Sequence, residues 1–190
     1  MTRSEAIEDF GHTAASINVA AGVIEGEVVN PEDEPWLVAR TEAVDDIVAW
    51  LSDIHPSLGV KFKGMWHVVF HRGPDFVSQA ANSAMELIDH TLRTLGPDNK
   101  VLEWRRLENK YVGEVSEVNN RPHRSLRIRY VATQRGLRPS SVDLLVKATL
   151  GTLNDLQKLK HAGEDRMVPA LTSALQAVEY CLSALIGDEI

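Results

Sequence analysis

A single cysteine, Cys181, stands among 190 residues, which rules out a disulfide framework and leaves a thiolate zinc site without a second sulfur ligand. Long apolar runs are missing too: nothing approaches the roughly 20 residues a membrane helix needs. Met1–Phe10 is polar and acidic, so no secretory signal is expected, and the reading is a cytoplasmic protein in a reducing compartment. Aromatic residues make up only 6% of the chain, and neither repeats nor low-complexity tracts occur. The strings that name a reaction outright are also absent. There is no Walker A loop, no Gly-x-Gly-x-x-Gly, no His-Glu-x-x-His and no Gly-x-Ser-x-Gly.

What is present is ordinary globular composition, 44% hydrophobic and 25% charged. A chain of this length can bury roughly 70% of its unfolded surface, enough for a proper core. Charge is unevenly placed. Residues 1–60 hold 12 Asp and Glu against only Arg3 and Arg40, while residues 61–190 carry a net charge of +3. Within the latter part, residues 121–140 hold Arg121, Arg124, Arg127, Arg129, Arg135 and Arg138 and no acid. This asymmetry reads as an acidic segment lying on a basic body, or as a basic groove open to an anionic partner. A solvated arginine-rich surface, paired with acids elsewhere, is the plainer alternative.

Apolar spacing near 3.6 predicts helices over most of the chain. Ala6, Phe10, Ala14, Ile17, Ala21 and Ile24 suggest a first helix, and Trp36 to Leu51 a second, separated by the Pro31-Glu32-Asp33-Glu34-Pro35 break. Trp36, Trp50, Ile47 and Leu51 should be buried, at about 1.5–3 kcal/mol for each large side chain. Phe62 to Phe70 fits a helix turn or a buried strand. Gly73-Pro74-Asp75 opens a helix whose face is Phe76, Ala80, Ala84, Leu87, Ile88 and Leu95, stopped by Gly96-Pro97. Residues 98–121 are polar and irregular, and 122–133 fits either helix or strand. Ser140 to Asp143 has capping-box form and starts a helix through Leu156, followed by a turn at Gly163 and a closing helix from Met167 to Leu185. Cys181 falls on the apolar face of that last helix, as a small core residue.

Three patterns touch on chemistry. Pro97-Asp98 followed by Glu108-Asn109-Lys110 is the Pro-Asp…Glu-x-Lys string of restriction-type nucleases, in which two carboxylates hold Mg²⁺ and the lysine orients water. It needs a strand hairpin, and the segment has weak strand character. His67 and His71, four apart on a helix, could share a metal, but no third ligand is evident. The Arg-x(4–6)-His motif of all-helical nucleases is absent, although Asn154, Lys158 and His161 fall on one helical side. A histidine there suits general acid–base work near neutral pH, or simply the negative end of a helix.

Taken together, residues 61–161 resemble the predicted pPIWI-associating nucleases, a bacterial family of phage-defence and other conflict systems. The resemblance lies in Gly73-Pro74-Asp75-Phe76, Ala80-Ala81-Asn82-Ser83-Ala84-Met85-Glu86-Leu87, Leu95-Gly96-Pro97-Asp98 with Val101 and Trp104, Arg121-Pro122-His123-Arg124 with Leu126, Arg129 and Tyr130, and Leu153-Asn154 with His161. It implies a helical domain that binds or cleaves nucleic acid, with Glu86, Arg124 and His161 brought together as catalytic candidates. The chain departs from the pattern at Met85, where the family carries arginine, and at Pro122-His123-Arg124-Ser125, where it carries Pro-Thr-Arg-Arg. If the replaced groups are catalytic, this chain binds without cutting.

The expected fold is mainly α: a multi-helix bundle with an N-terminal acidic helical pair and a C-terminal antiparallel hairpin over 140–186, packed on the 75–95 helix. A short β element around 100–130 stays open. Residues 1–58 form the acidic helical segment and 59–190 the helical core domain, together one unit. The expected function is a defence-system protein that engages RNA or DNA through a basic site formed by Arg121, Arg127, Arg129, Arg135, Arg138 and Lys158. The alternative is a non-catalytic helical interaction module: an antitoxin, an immunity protein or a complex subunit. Mg²⁺ enters only with a carboxylate nuclease site. The partner is a nucleic acid or a protein of the same system, not a membrane, and a homo-oligomer is open to it.

Overall fold

The computed structural model describes residues 46–109, 111, 113–116, 118–162 and 168–186. The expected helix over 6–24, the break at Pro31 to Pro35, Trp36 and the turn at Gly163 lie outside the described residues. Seven helices occur among those described: α1 (46–54), α2 (Pro56–His71), α3 (Phe76–Leu95), α4 (Asp98–Glu108), α5 (Arg124–Gln134), α6 (Pro139–Ala162) and α7 (Val168–Ile186).

α1 and α2 pack closely because Gly59 lacks a side chain. A Cβ there would meet the Ser52 Oγ at 2.1 Å and the Val48 carbonyl oxygen at 3.2 Å. Of the apolar residues expected to bury this region, Ile47 and Leu51 are in the core, whereas Trp50 stays 40% exposed. α2 resolves the Phe62–Phe70 ambiguity as helix: Leu58, Phe62, Met65, Trp66 and Val69 form one buried face. Pro56 takes its first position, where a missing N–H costs nothing.

α3 is the central helix, contacting α2, α5, α6 and α7. It starts at Phe76, after Asp75 in the left-handed region at φ 60°, and stops at Gly96, whose N–H donates to the Leu92 carbonyl at 2.9 Å. α6 lies antiparallel along it. Near one end the Ser78 hydroxyl donates to the Lys160 carbonyl at 2.9 Å, and near the other Leu150 lines the same cleft as Asp89 and Leu92. α7 folds back on α6 and completes the expected C-terminal hairpin on α3. Cys181 is buried, 4% exposed, and has no disulfide. One hydrophobic cluster runs from Ile47 to Leu185.

Two segments differ from their sequence pattern. Residues 98–108, expected to be irregular, are helical, with Val101 the only fully buried side chain. Its support is electrostatic: Asp98 in the first turn and Arg105 and Arg106 in the last complement the helix dipole. Residues 124–134 are helix and not strand. Leu126, Arg127 and Ile128 are buried in succession because neighbours cover α5 on several sides, which imitates alternation. The open β element comes down to one isolated antiparallel bridge, Val115 to Pro122, the only β pairing among the described residues.

Candidate functional site

The segment that leads into α5 is pinned before the helix begins. Trp104 and Tyr111 stack with centroids 5.6 Å apart, Tyr130 meets Trp104 edge-on at 5.8 Å, and the Arg129 guanidinium covers Tyr111 at 5.0 Å. The Ser116 N–H donates to the Arg121 carbonyl and the His123 N–H to the Glu114 carbonyl, both at 2.9 Å. This delivers Arg121, Pro122 and His123 to the start of α5 in a fixed path. No side chain among the described residues caps that start and its first turn holds no acid, so the leading N–H groups, which have no acceptor within any helix, are left without one from a cap.

An open cleft of about 730 Å³ lies over this helix start. Asp89, Leu92 and Arg93 of α3 form one wall, residues 121–125 and Arg127 the other, with Asp98 and Leu150 closing it. Four arginines face two aspartates. Arg124 grips Asp89 through two parallel hydrogen bonds, Nε to Oδ1 at 2.6 Å and Nη2 to Oδ2 at 2.5 Å. That hydrogen bonding holds the Arg124 pKa above its ordinary value, against the opposing effect of burial, so the group stays cationic. Arg127 is 7% exposed and donates to the Gly96 carbonyl at 2.5 Å and to Asp98. Both aspartates are thus committed to holding an arginine. Arg93 and Arg121 are exposed and have no carboxylate partner among the described residues.

A second polar group continues from Arg93 along α3 and onto α2. Glu86 receives hydrogen bonds from Asn82 Nδ2 at 3.1 Å and from Lys61 Nζ at 3.4 Å. One turn on, the His90 ring lies 5.9 Å, centroid to centroid, from that of His55. Burial lowers the His90 pKa, and its electrostatic interactions with Lys61, His55 and Arg93 lower it further. His55 caps α2, its Nδ1 accepting from the Ser57 N–H at 3.3 Å and lying 2.8 Å from the Ser57 hydroxyl. With Nδ1 an acceptor, the ring proton sits on Nε2.

A family model described as predicted pPIWI-associating nuclease matches residues 52–185. The chain belongs to that family. No curated protein and no solved structure gave a match. The matched span takes in α2 to α7 and hence both walls of the cleft.

Of the residues expected to form the basic and catalytic sites, Arg121, Arg124 and Arg127 come together at the cleft. Arg129 turns away, bonded to Glu114 at 3.1 Å and Asp143 at 2.5 Å. Arg135 is half-buried just past the end of α5, and Arg138 is exposed ahead of α6. Glu86 stands one turn before Asp89 on α3, bonded to Asn82 and Lys61 and outside the cleft lining. His161 does not join them. It bonds Gln157 at 2.7 Å beside the Ser78 end of α3, about 16 Å along the helix from Asp89. Lys158 is at the same end, paired with Asp155 at 2.8 Å. The restriction-type string fails on geometry: Asp98 and Glu108 stand at opposite ends of α4, about 15 Å apart, too far to share one cation. Lys110 lies outside the described residues. The His67 and His71 rings approach to 4.0 Å, and no cluster of three metal-ligating side chains occurs among the described residues.

Sequence reading missed Asp89, Arg93 and His90, although a signal was available. On the predicted helix, Asn82, Glu86, Asp89, His90 and Arg93 share the polar face opposite Ala84, Leu87 and Ile88.

Proposed function

We propose that this protein is a nuclease-family component of a conflict system that binds nucleic acid at the α3–α5 cleft. The observation that carries the reading is the pair of exposed arginines, Arg93 and Arg121, which have no carboxylate partner among the described residues and line a cleft whose remaining cations are held in place by Asp89 and Asp98. Fixed guanidinium groups with donors to spare are the arrangement that binds phosphate oxygens. The uncapped start of α5 adds N–H donors and the positive end of a dipole in the same space. Ser125 adds a hydroxyl and His123 an imidazole.

The bound group is the sugar–phosphate backbone, whose phosphate oxygens match the guanidinium donors of the lining. Arg121, Arg124 and Arg93 contact phosphates, and Arg127 shapes the floor. Arg135, Arg138 and Lys158, which lie elsewhere on the chain, serve at most as outlying contacts for a long strand. The chain acts in the cytoplasm, where such targets are found. Fluorescence anisotropy with labelled RNA and DNA oligonucleotides tests the reading. Replacing both Arg93 and Arg121 by Ala should weaken binding at least tenfold and flatten its salt dependence, because two fewer condensed counterions are released. Unchanged affinity and slope in a folded double variant would move the interface elsewhere.

A further inference from the structure

We propose that His90, together with His55 and Lys61, forms an RNA-cleaving centre at the rim of the arginine cleft, working by attack of the ribose 2′-hydroxyl. This rests on the cleft reading above and adds a substrate class and a reaction to it.

Three observations place the centre. Arg93 lines the cleft and is also close enough to His90 to disfavour charge on its ring, so the imidazole stands beside a phosphate-binding arginine. The His90 ring nitrogens make no hydrogen bond among the described residues, which leaves a lone pair available. His55, 5.9 Å away, is oriented by Ser57 so that it presents its Nε2–H. Lys61 completes the group, steadied by Glu86, which Asn82 in turn holds. A base held neutral, an imidazole N–H donor and a cation beside an anchored phosphate are the parts that phosphoryl transfer without metal requires.

His90 takes the proton of the 2′-hydroxyl while the 2′-oxygen bonds to phosphorus. The phosphorus–O5′ bond breaks, and the 5′-oxygen takes a proton from the Lys61 ammonium. His55 donates a hydrogen bond to a non-bridging phosphoryl oxygen, where charge builds. The products are a 2′,3′-cyclic phosphate and a 5′-hydroxyl, and His90 returns its proton to Lys61 through solvent. DNA lacks the attacking group and is bound without being cut. Because the base must be neutral, the rate falls only as pH drops through the lowered His90 value, below the ordinary imidazole range near 6.5.

The test incubates end-labelled RNA and the same sequence as DNA with the full chain in excess EDTA, from pH 5 to 9. The expected result is cleavage of RNA alone, with cyclic-phosphate ends, and a single 2′-deoxy substitution blocking the cut beside it. His90→Gln should lower the rate about 100-fold or more at unchanged RNA affinity, and Lys61→Gln should lower it by a similar factor. A divalent-ion requirement, equal cutting of DNA, or full activity in His90→Gln would overturn the proposal. RNA binding that depends on Arg93 and Arg121 but yields no cleavage across that pH range would overturn it and leave the cleft reading intact. Binding insensitive to those arginines would remove the cleft reading, and the proposal with it.

Discussion

At the residue scale, the arginines of 121–138 divide by what their guanidinium groups touch. Arg127 satisfies the Gly96 carbonyl at the end of α3 and pairs with Asp98, from a position only 7% exposed. Removing it leaves a buried carbonyl without a donor, and Arg127→Ala should cost about 2–3 kcal/mol of stability, reduced from a fully buried pair because Asp98 is 46% exposed. Arg121, exposed and without an acidic partner among the described residues, should cost less than about 0.5 kcal/mol when replaced by Ala, while its loss weakens nucleic-acid binding. Urea unfolding of the two single variants checks this, and equal destabilisation would contradict the division. Sequence alone could not make it. Six arginines without a nearby acid look alike until Asp89, Asp98, Glu114 and Asp143 arrive from segments 14 to 35 residues away.

At the element scale, helices with a broad apolar face were legible and helices without one were not. α3, α6 and α7 follow from Ala80, Leu87, Leu153, Leu156, Leu175 and Leu182, because burial on one side imposes the 3.6 period. α4 was not legible: it buries only Val101, and its charged ends carry no period. α5 was ambiguous because cover on several sides erases the distinction between helix and strand patterns. The placement of α1 on α2 depends on a glycine that no periodicity flags. Gly59→Ala puts a methyl group 2.1 Å from the Ser52 hydroxyl, which must rotate away, and 3.2 Å from the Val48 carbonyl, which must give by a few tenths of an ångström. The expected loss is about 1–3 kcal/mol, seen as a lower urea midpoint, with Ser52→Ala in the same chain restoring only the part due to the hydroxyl. A Gly59→Ala variant as stable as the parent would mean that α1 does not pack as described.

At the scale of the whole molecule, the antiparallel run of α3 against α6 sets two ends apart. One end gathers Asp89, Arg93, Arg121 and Arg124 around the cleft; the other holds Ser78, Lys158 and His161. The family resemblance was carried by short motifs on α3, α5 and α6, and motif order along a chain does not reveal which end of a helix faces which. That is why Arg124 pairs with Asp89, Glu86 bonds Lys61 and Asn82 instead, and His161 lies beside Ser78, about 16 Å along α3 from Asp89. The central claim is that nucleic acid sits at the arginine end. Backbone amide chemical-shift mapping of the full chain, titrated with a short RNA oligonucleotide, tests it most directly. The account predicts shifts concentrated at residues 89–93 and 121–127, with residues 154–161 unmoved; shifts centred on 154–161 and a silent 121–127 would contradict it.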